Sequence, residues 1–343
     1  MKERTIEHGK FRMEALSEYR SEIYGISIFW VMLFHMKESH YFPTIKGSSL
    51  YHAWMGFVGM GNMGVDIFLF LSGICLYFSF TKNPDFYAFI KKRIARIAYP
   101  VCFTSMLLWL QYLIMHRISI WGFVNRVFLL QYWIDSDRQV WYVSLLLILY
   151  FVYPYIYRFF FEKNNTISSV CRTTGLILII VIITVGIYFE YPRLYQALPR
   201  VPAFLTGCIC GKFVYEKRHI PFMIPLVTIV LFVVSYVAAN KMHMYHGLLQ
   251  RYIYWCGGVA AAFFLVIVLS YTPKCFRSIC CKWGAISLEI YLAHIVIRRE
   301  LGTQFAKTYL GLPWWGNVLI IFVGAYIWAK FVAWCVTKVQ AVK

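Results

Sequence analysis

Residues 19 to 41, YRSEIYGISIFWVMLFHMKESHY, place a histidine, His35, after the apolar run Ile26–Phe34. An imidazole titrates near neutrality, so it can take a proton from a hydroxyl and return it. An ionisable side chain within a membrane span is costly and marks a functional site by default. On a helix, Arg20, Tyr24, Ser27 and His35 drift only modestly around the axis and can form one polar stripe. The other reading puts His35 at the outer interface, bonded to a neighbour.

A second stretch, GVDIFLFLSGICLYF at 64–78, holds Asp66 in apolar surroundings. Such a carboxylate needs a cation or donors around it. It can orient His35, as a carboxylate orients a catalytic imidazole, or it can start a helix near Gly61 and Gly64. Ser72-Gly73 reads as close helix packing. A third stretch, WGAISLEIYLAHIVIRRE at 283–300, repeats the pattern of a polar stripe ending in histidine. Ser287, Tyr291 and His294 stand at i, i+4 and i+7, one face of a helix, and Glu289 faces elsewhere and needs its own partner.

Two further stretches suit binding. FIKKRIARIAYP at 89–100 packs Lys91, Lys92, Arg93 and Arg96 into six positions just before an apolar run. Such cations hold phosphates, or they anchor the chain on anionic lipid. QVWYVSLLLILYFVYP at 139–154 brings Trp141 and Tyr142, either an aromatic belt or a platform for a sugar ring. His243 and His246, in HMYH, have metal-ligand spacing but no evident third or fourth ligand, so no metal site is expected.

The elements that carry these residues follow from composition. The 343-residue chain is 60% hydrophobic and only 14% charged, against about a quarter charged in soluble domains. Its apolar runs reach the roughly 20 residues that cross a bilayer. They are continuous rather than alternating, which selects helices over a barrel. The expected fold is all-α and polytopic, with about ten spans near 22–36, 58–80, 98–116, 140–160, 173–190, 198–215, 221–239, 252–271, 284–297 and 314–336. The first and ninth are short and polar, as cavity-lining segments are.

The net charge is +19. In a soluble protein that would suggest nucleic acid, but here the cations sit mostly between spans. Their distribution favours both termini inside. Residues 1–20 then form a cytoplasmic segment, 21–337 the membrane domain and 338–343 a cytoplasmic tail. The charged first twenty residues lack the apolar core of a signal peptide. The 37–56 stretch is expected as an outer loop, and the aromatic stretch 117–139 as an interfacial or re-entrant element. The ten cysteines are scattered, many within apolar runs, and read as packing residues rather than a disulfide framework.

Taken in order, GISIFWVMLFH, GVDIFLFLSG, FIKKRIARIAYP, VWYVSLLL and ISLEIYLAHIVI resemble the acyltransferase-3 family of integral membrane acyltransferases, from about residue 19 to the end. The resemblance implies an O-acyltransferase of the bacterial cytoplasmic membrane, moving most often acetyl from acetyl-CoA to a surface polysaccharide or glycolipid. It makes His35 the essential first-span histidine and places the acyl donor at Arg93 and Arg96. Trp141 and His294 match recurrent positions. One position departs: Tyr24 stands where the family carries Arg or Lys, with Arg20 one turn earlier.

Under this reading Lys91, Lys92, Arg93 and Arg96 hold the acyl-CoA phosphates. His35 acts as general base, Asp66 or Tyr24 tunes or orients it, and Tyr291, His294 or a backbone N–H stabilises the oxyanion. Arg20, Trp141, Tyr142 and Ser287 contact substrate. The expected partners are acyl-CoA, a glycan or lipid-linked saccharide, membrane lipid and glycan-assembly proteins. The alternative is a glycan or lipid carrier that consumes no thioester.

Overall fold

A computed structural model describes residues 5–43, 48–135, 137, 139–188, 190–191, 194–241, 247–302 and 310–341. The chain is almost wholly helical. Long apolar segments must satisfy their own backbone groups in lipid, and a helix does so within one segment. Each of the ten expected segments is helical over most of its described residues. By length and hydropathy six helices are candidates to cross a membrane, or eight when each of two bent pairs counts as one span. Two more stand beside them: α2 (Arg20–Glu38), which is charged near both ends, and α12 (Met223–Lys241), whose apolar part is shorter.

The order along the chain begins with a small sheet. Strands β1 (Ile6–Glu7) and β2 (Lys10–Arg12) pair antiparallel. β2 also pairs with β3 (His219–Pro221), far along the chain. Phe11 is fully buried and its ring meets Phe263 edge-on, so the N-terminal segment is pinned to the bundle. This is the one departure from an all-α fold among the described residues. A short helix, α1 (Ala15–Glu18), leads into α2.

Helix α3 (Ser49–Gly59) runs through a 3-10 turn into α4 (Gly64–Lys82). The expected outer loop at 37–56 is thus helical over its last part. Its start is set by Ser48, whose hydroxyl accepts from the Tyr51 N–H. Helices α5 (Phe86–Phe103) and α6 (Ser105–Ile114) bend by 46° just after Pro100. The 117–139 stretch forms two short helices, α7 (Ile120–Val127) and α8 (Gln131–Asp135). Then follow α9 (Trp141–Tyr157), α10 (Thr166–Ile187), α11 (Val201–Tyr215), α12, and α13 (Gly247–Tyr271). Helices α14 (Lys274–Ala285) and α15 (Ser287–Leu301) meet at a 70° bend, and α16 (Trp314–Ala341) ends the described chain.

Two contacts fix the helices that matter for the site. Gly73 of α4 lies against the Phe204 carbonyl and Gly207 of α11 against the Phe70 carbonyl, so a Cβ at either would overlap backbone. Gly25 of α2 and Gly284 of α14 interlock in the same way, through the Cys280 and Ser21 carbonyls. In a bilayer, where lipid is as apolar as leucine, such small residues let backbones touch and dispersion hold them. The expected packing role of Gly73 is what the fold uses. α4 and α11 form the buried centre, while α10 and α16 are largely turned outward.

Candidate active site

The two polar stripes meet. His35, near the C-terminal end of α2, brings its Nδ1 to 2.8 Å from Nε2 of His294 on α15. The rings stack, with centroids 5.1 Å apart and planes inclined by 17°. The hydrogen-bond chain orders the protons. His294 Nδ1 lies 3.1 Å from the Ile290 carbonyl, which can only accept. So Nδ1 carries the hydrogen, and Nε2 of the neutral ring offers a lone pair. His35 Nδ1 must then donate to it. That leaves Nε2 of His35 as the basic nitrogen, with no partner among the described residues.

Arg298 continues the stripe one turn beyond His294. Its guanidinium donates to the His35 carbonyl at 3.4 Å, to Ser39 Oγ at 3.0 Å and to Glu38 at 3.3 Å. A cation at the C-terminal end of α2 meets the negative end of the helix dipole, at a carbonyl that also accepts from the Ser39 N–H. The spacing of Ser287, Tyr291 and His294 extends to Arg298 at i+11, a signal present in the sequence but stopped one turn short.

A cavity of about 500 Å³ lies on one side of this pair. Lys82, Lys92, Arg93, Arg96 and Arg20 supply its cations. Tyr24, Phe68, Tyr142 and Tyr291 line it as aromatics. Tyr24 stacks on Phe68 at 5.3 Å, and Tyr291 lies 5.4 Å from the Tyr142 ring and 5.5 Å from the His294 ring. The histidines therefore sit one aromatic layer beyond the cavity. A second cavity, about 630 Å³, lies towards the other end, lined by Glu38, Ser39, Tyr41, Gln139, Arg298 and Arg299 among others. His35 lines neither, but its helix reaches the first through Tyr24 and the second through Glu38.

The cations differ in what they already hold. Arg96 makes two contacts to Glu289, at 2.5 and 3.3 Å, and that carboxylate is almost fully buried. This supplies the partner that Glu289 required. Arg93 lies over the Phe89 and Tyr150 rings, and its buried Nε has no partner. Lys91, one residue around the helix from Lys92, is exposed and is not among the residues that line the cavity.

Three other expectations are corrected. Asp66 does not orient His35. It is fully buried in a salt bridge with Arg200 at 2.8 Å, and Arg200 also donates to Asn62, 2.8 Å at the side-chain oxygen. The place beside the imidazole belongs to His294. Trp141 is neither a belt residue nor a cavity wall: it is buried, with the Arg200 guanidinium 4.9 Å above its ring. Stacking on an indole face helps keep that charge in the interior. Tyr24 lies eleven residues before His35, about 16 Å along the helix, so it shapes the first cavity instead. Arg20, Tyr142 and Ser287 all line that cavity.

Sequence reasoning also missed Arg200, at the start of the expected 198–215 span, and Cys75. The Cys75 thiol lines the first cavity and accepts from Arg20 at 3.4 Å, with the Tyr24 hydroxyl 3.9 Å away. Among the described residues no group of three or more His, Cys, Asp or Glu can hold a metal ion. His243 and His246 lie outside the described residues.

Neither a curated protein nor a solved structure matches the chain. A family model described as an acyltransferase domain matches residues 25–334, nearly the whole chain and the polar stretches described above apart from the start of the first, with Arg20 and Tyr24. A helical membrane bundle with a histidine pair between two cavities is what that match covers: the chain belongs to the acyltransferase-3 family and is an acyltransferase.

Proposed function

We propose that this membrane acyltransferase moves an acyl group, acetyl foremost, from acyl-CoA to a hydroxyl of a surface or exported polysaccharide or glycolipid. The observation that carries the reading is the histidine pair with its single unoccupied basic nitrogen, set between a cation-lined cavity and a second polar one. The first cavity suits the acyl donor. Arg93, Lys92 and Arg20 face its phosphates, and Tyr142 and Tyr291 face the arm and acyl group. The second suits a polyol, with Glu38, Ser39, Tyr41 and Gln139 as hydrogen-bond partners. The cations at the first cavity support a cytoplasmic position for that end.

The acceptor hydroxyl attacks the thioester carbonyl carbon while its proton passes to Nε2 of His35. The tetrahedral intermediate collapses, the carbon–sulfur bond breaks and the leaving thiolate takes the proton back from His35. An ester and free coenzyme A result. Both nitrogens of His294 are engaged, so His294 positions His35 rather than donating to the oxyanion. The Tyr291 hydroxyl, on the cavity wall and without a partner among the described residues, is the oxyanion donor.

The test uses membranes containing the protein, given acetyl-CoA with and without the surface glycan. The reading expects coenzyme A release that depends on the glycan, and a matching ester on it. Glycan movement across the membrane without thioester consumption would favour the carrier instead.

A further inference from the structure

The bend between α14 and α15 exposes a helix start inside the membrane domain. Helix α15 begins at Ser287 with Ile286 as its N-cap, and no side chain caps it. The first N–H groups of any α-helix lie outside its own ladder and carry the positive end of its dipole. In a bilayer interior an unmet backbone donor is costly. Gly284, Ala285, Ser287 and Leu288 from this junction line the cation-bearing cavity.

A second observation is independent of the backbone. Ser287 is 8% exposed, lines the same cavity, and its hydroxyl has no hydrogen-bond partner among the described residues. Nine-tenths of this polar residue is buried, and its hydroxyl opens on the cavity rather than being sealed in the bundle. Glu289, in the same first turn, does not fill the gap, because both its oxygens face Arg96. That pair does bring Arg96 of α5 to within one turn of the helix start.

Resting on the acyl-CoA reading, we propose that the start of α15, with the Ser287 hydroxyl, is the seat of the donor's diphosphate. A carbonyl would need one donor and no cation. A diphosphate uses what converges here: free N–H groups, a hydroxyl and the guanidinium of Arg96, with Lys92 and Arg93 on the same cavity wall. The depth agrees. Ser287 precedes His294 by seven residues, about 10 Å of helix rise, which leaves the pantetheine arm to span the aromatic layer toward His35.

The test measures binding to the full-length protein in lipid nanodiscs with three probes: coenzyme A, 3′-dephospho-coenzyme A and acetyl-pantetheine, which has no phosphate. The variants are Ser287→Ala and Ser287→Asp. An Asp in the first turn favours the helix itself, so a merely structural role predicts no loss of binding. The proposal expects Ser287→Asp to weaken both coenzymes equally, by about tenfold or more, and Ser287→Ala by several-fold. Acetyl-pantetheine binding stays unchanged. Equal weakening of acetyl-pantetheine would move the site to the arm, and an effect on coenzyme A alone would move it to the 3′-phosphate. Wild-type binding with no effect of either variant overturns the proposal alone. A wild type that binds none of the probes overturns it together with the acyl-CoA reading.

Discussion

Two of the ionisable pairs in the bundle are built differently. Asp66 and Arg200 are both fully buried, paired at 2.8 Å, with Asn62 and Trp141 around the guanidinium. Gly258 of α13 packs against the Asp66 side chain, so the pair is sealed by a neighbouring helix. His35 and His294 are paired at the same distance but leave one nitrogen unmatched, between two cavities. The fully buried ion pair joins helices even though Asp66 Oδ1 and Arg200 Nε stay unmatched, whereas a partly exposed imidazole with a lone pair to spare can do chemistry. Both pairs look alike in sequence, each a polar residue within an apolar run. Only the partner tells them apart.

Substitutions can break that contrast, the largest effect first. His35→Ala removes the basic nitrogen and is expected to lower acyl transfer by about 10²–10⁴-fold, with the protein still inserted and monodisperse by size-exclusion chromatography. Arg200→Met leaves Asp66 buried without its cation and is expected to cost about 3–5 kcal/mol of stability, read as early thermal unfolding in detergent. Arg200→Met combined with Asp66→Leu restores much of it, because an apolar pair no longer strands a charge. If Arg200→Met instead abolishes transfer at unchanged stability, the contrast fails.

His294→Ala frees the His35 ring to rotate and is expected to slow transfer by about 100-fold. His294→Gln returns an acceptor for His35 Nδ1 and recovers part of the rate. Equal loss in both variants would remove the proton order argued here. Arg93→Ala is expected to raise the KM for acyl-CoA by about tenfold with little change in kcat, and to reduce the salt dependence of KM.

The helices were legible because lipid demands uninterrupted apolar runs, and each of the ten expected segments is helical over most of its described residues. The site was legible in part for the same reason. His35, Tyr291 and His294 stand out against apolar neighbours, and the spacing of Tyr291 and His294 sets those two on one helix face. What could not be read were the partners across the bundle. Nothing local says that Asp66 meets a residue 134 positions away, or that Glu289 reaches back 193 positions to Arg96. The bend at Ile286 carries no proline or glycine of its own; Gly284 beside it is needed against α2. The N-terminal strands were missed because a two-residue strand has no period to read.

The most direct test is the O-acyl content of surface glycans, by mass spectrometry, in cells that lack the gene and are complemented with wild type or with His35→Ala at equal membrane levels. The expected result is an acyl mass increment restored by wild type and absent with His35→Ala. Equal restoration by both would contradict the role given to His35 Nε2 and send the search for the base elsewhere in the bundle.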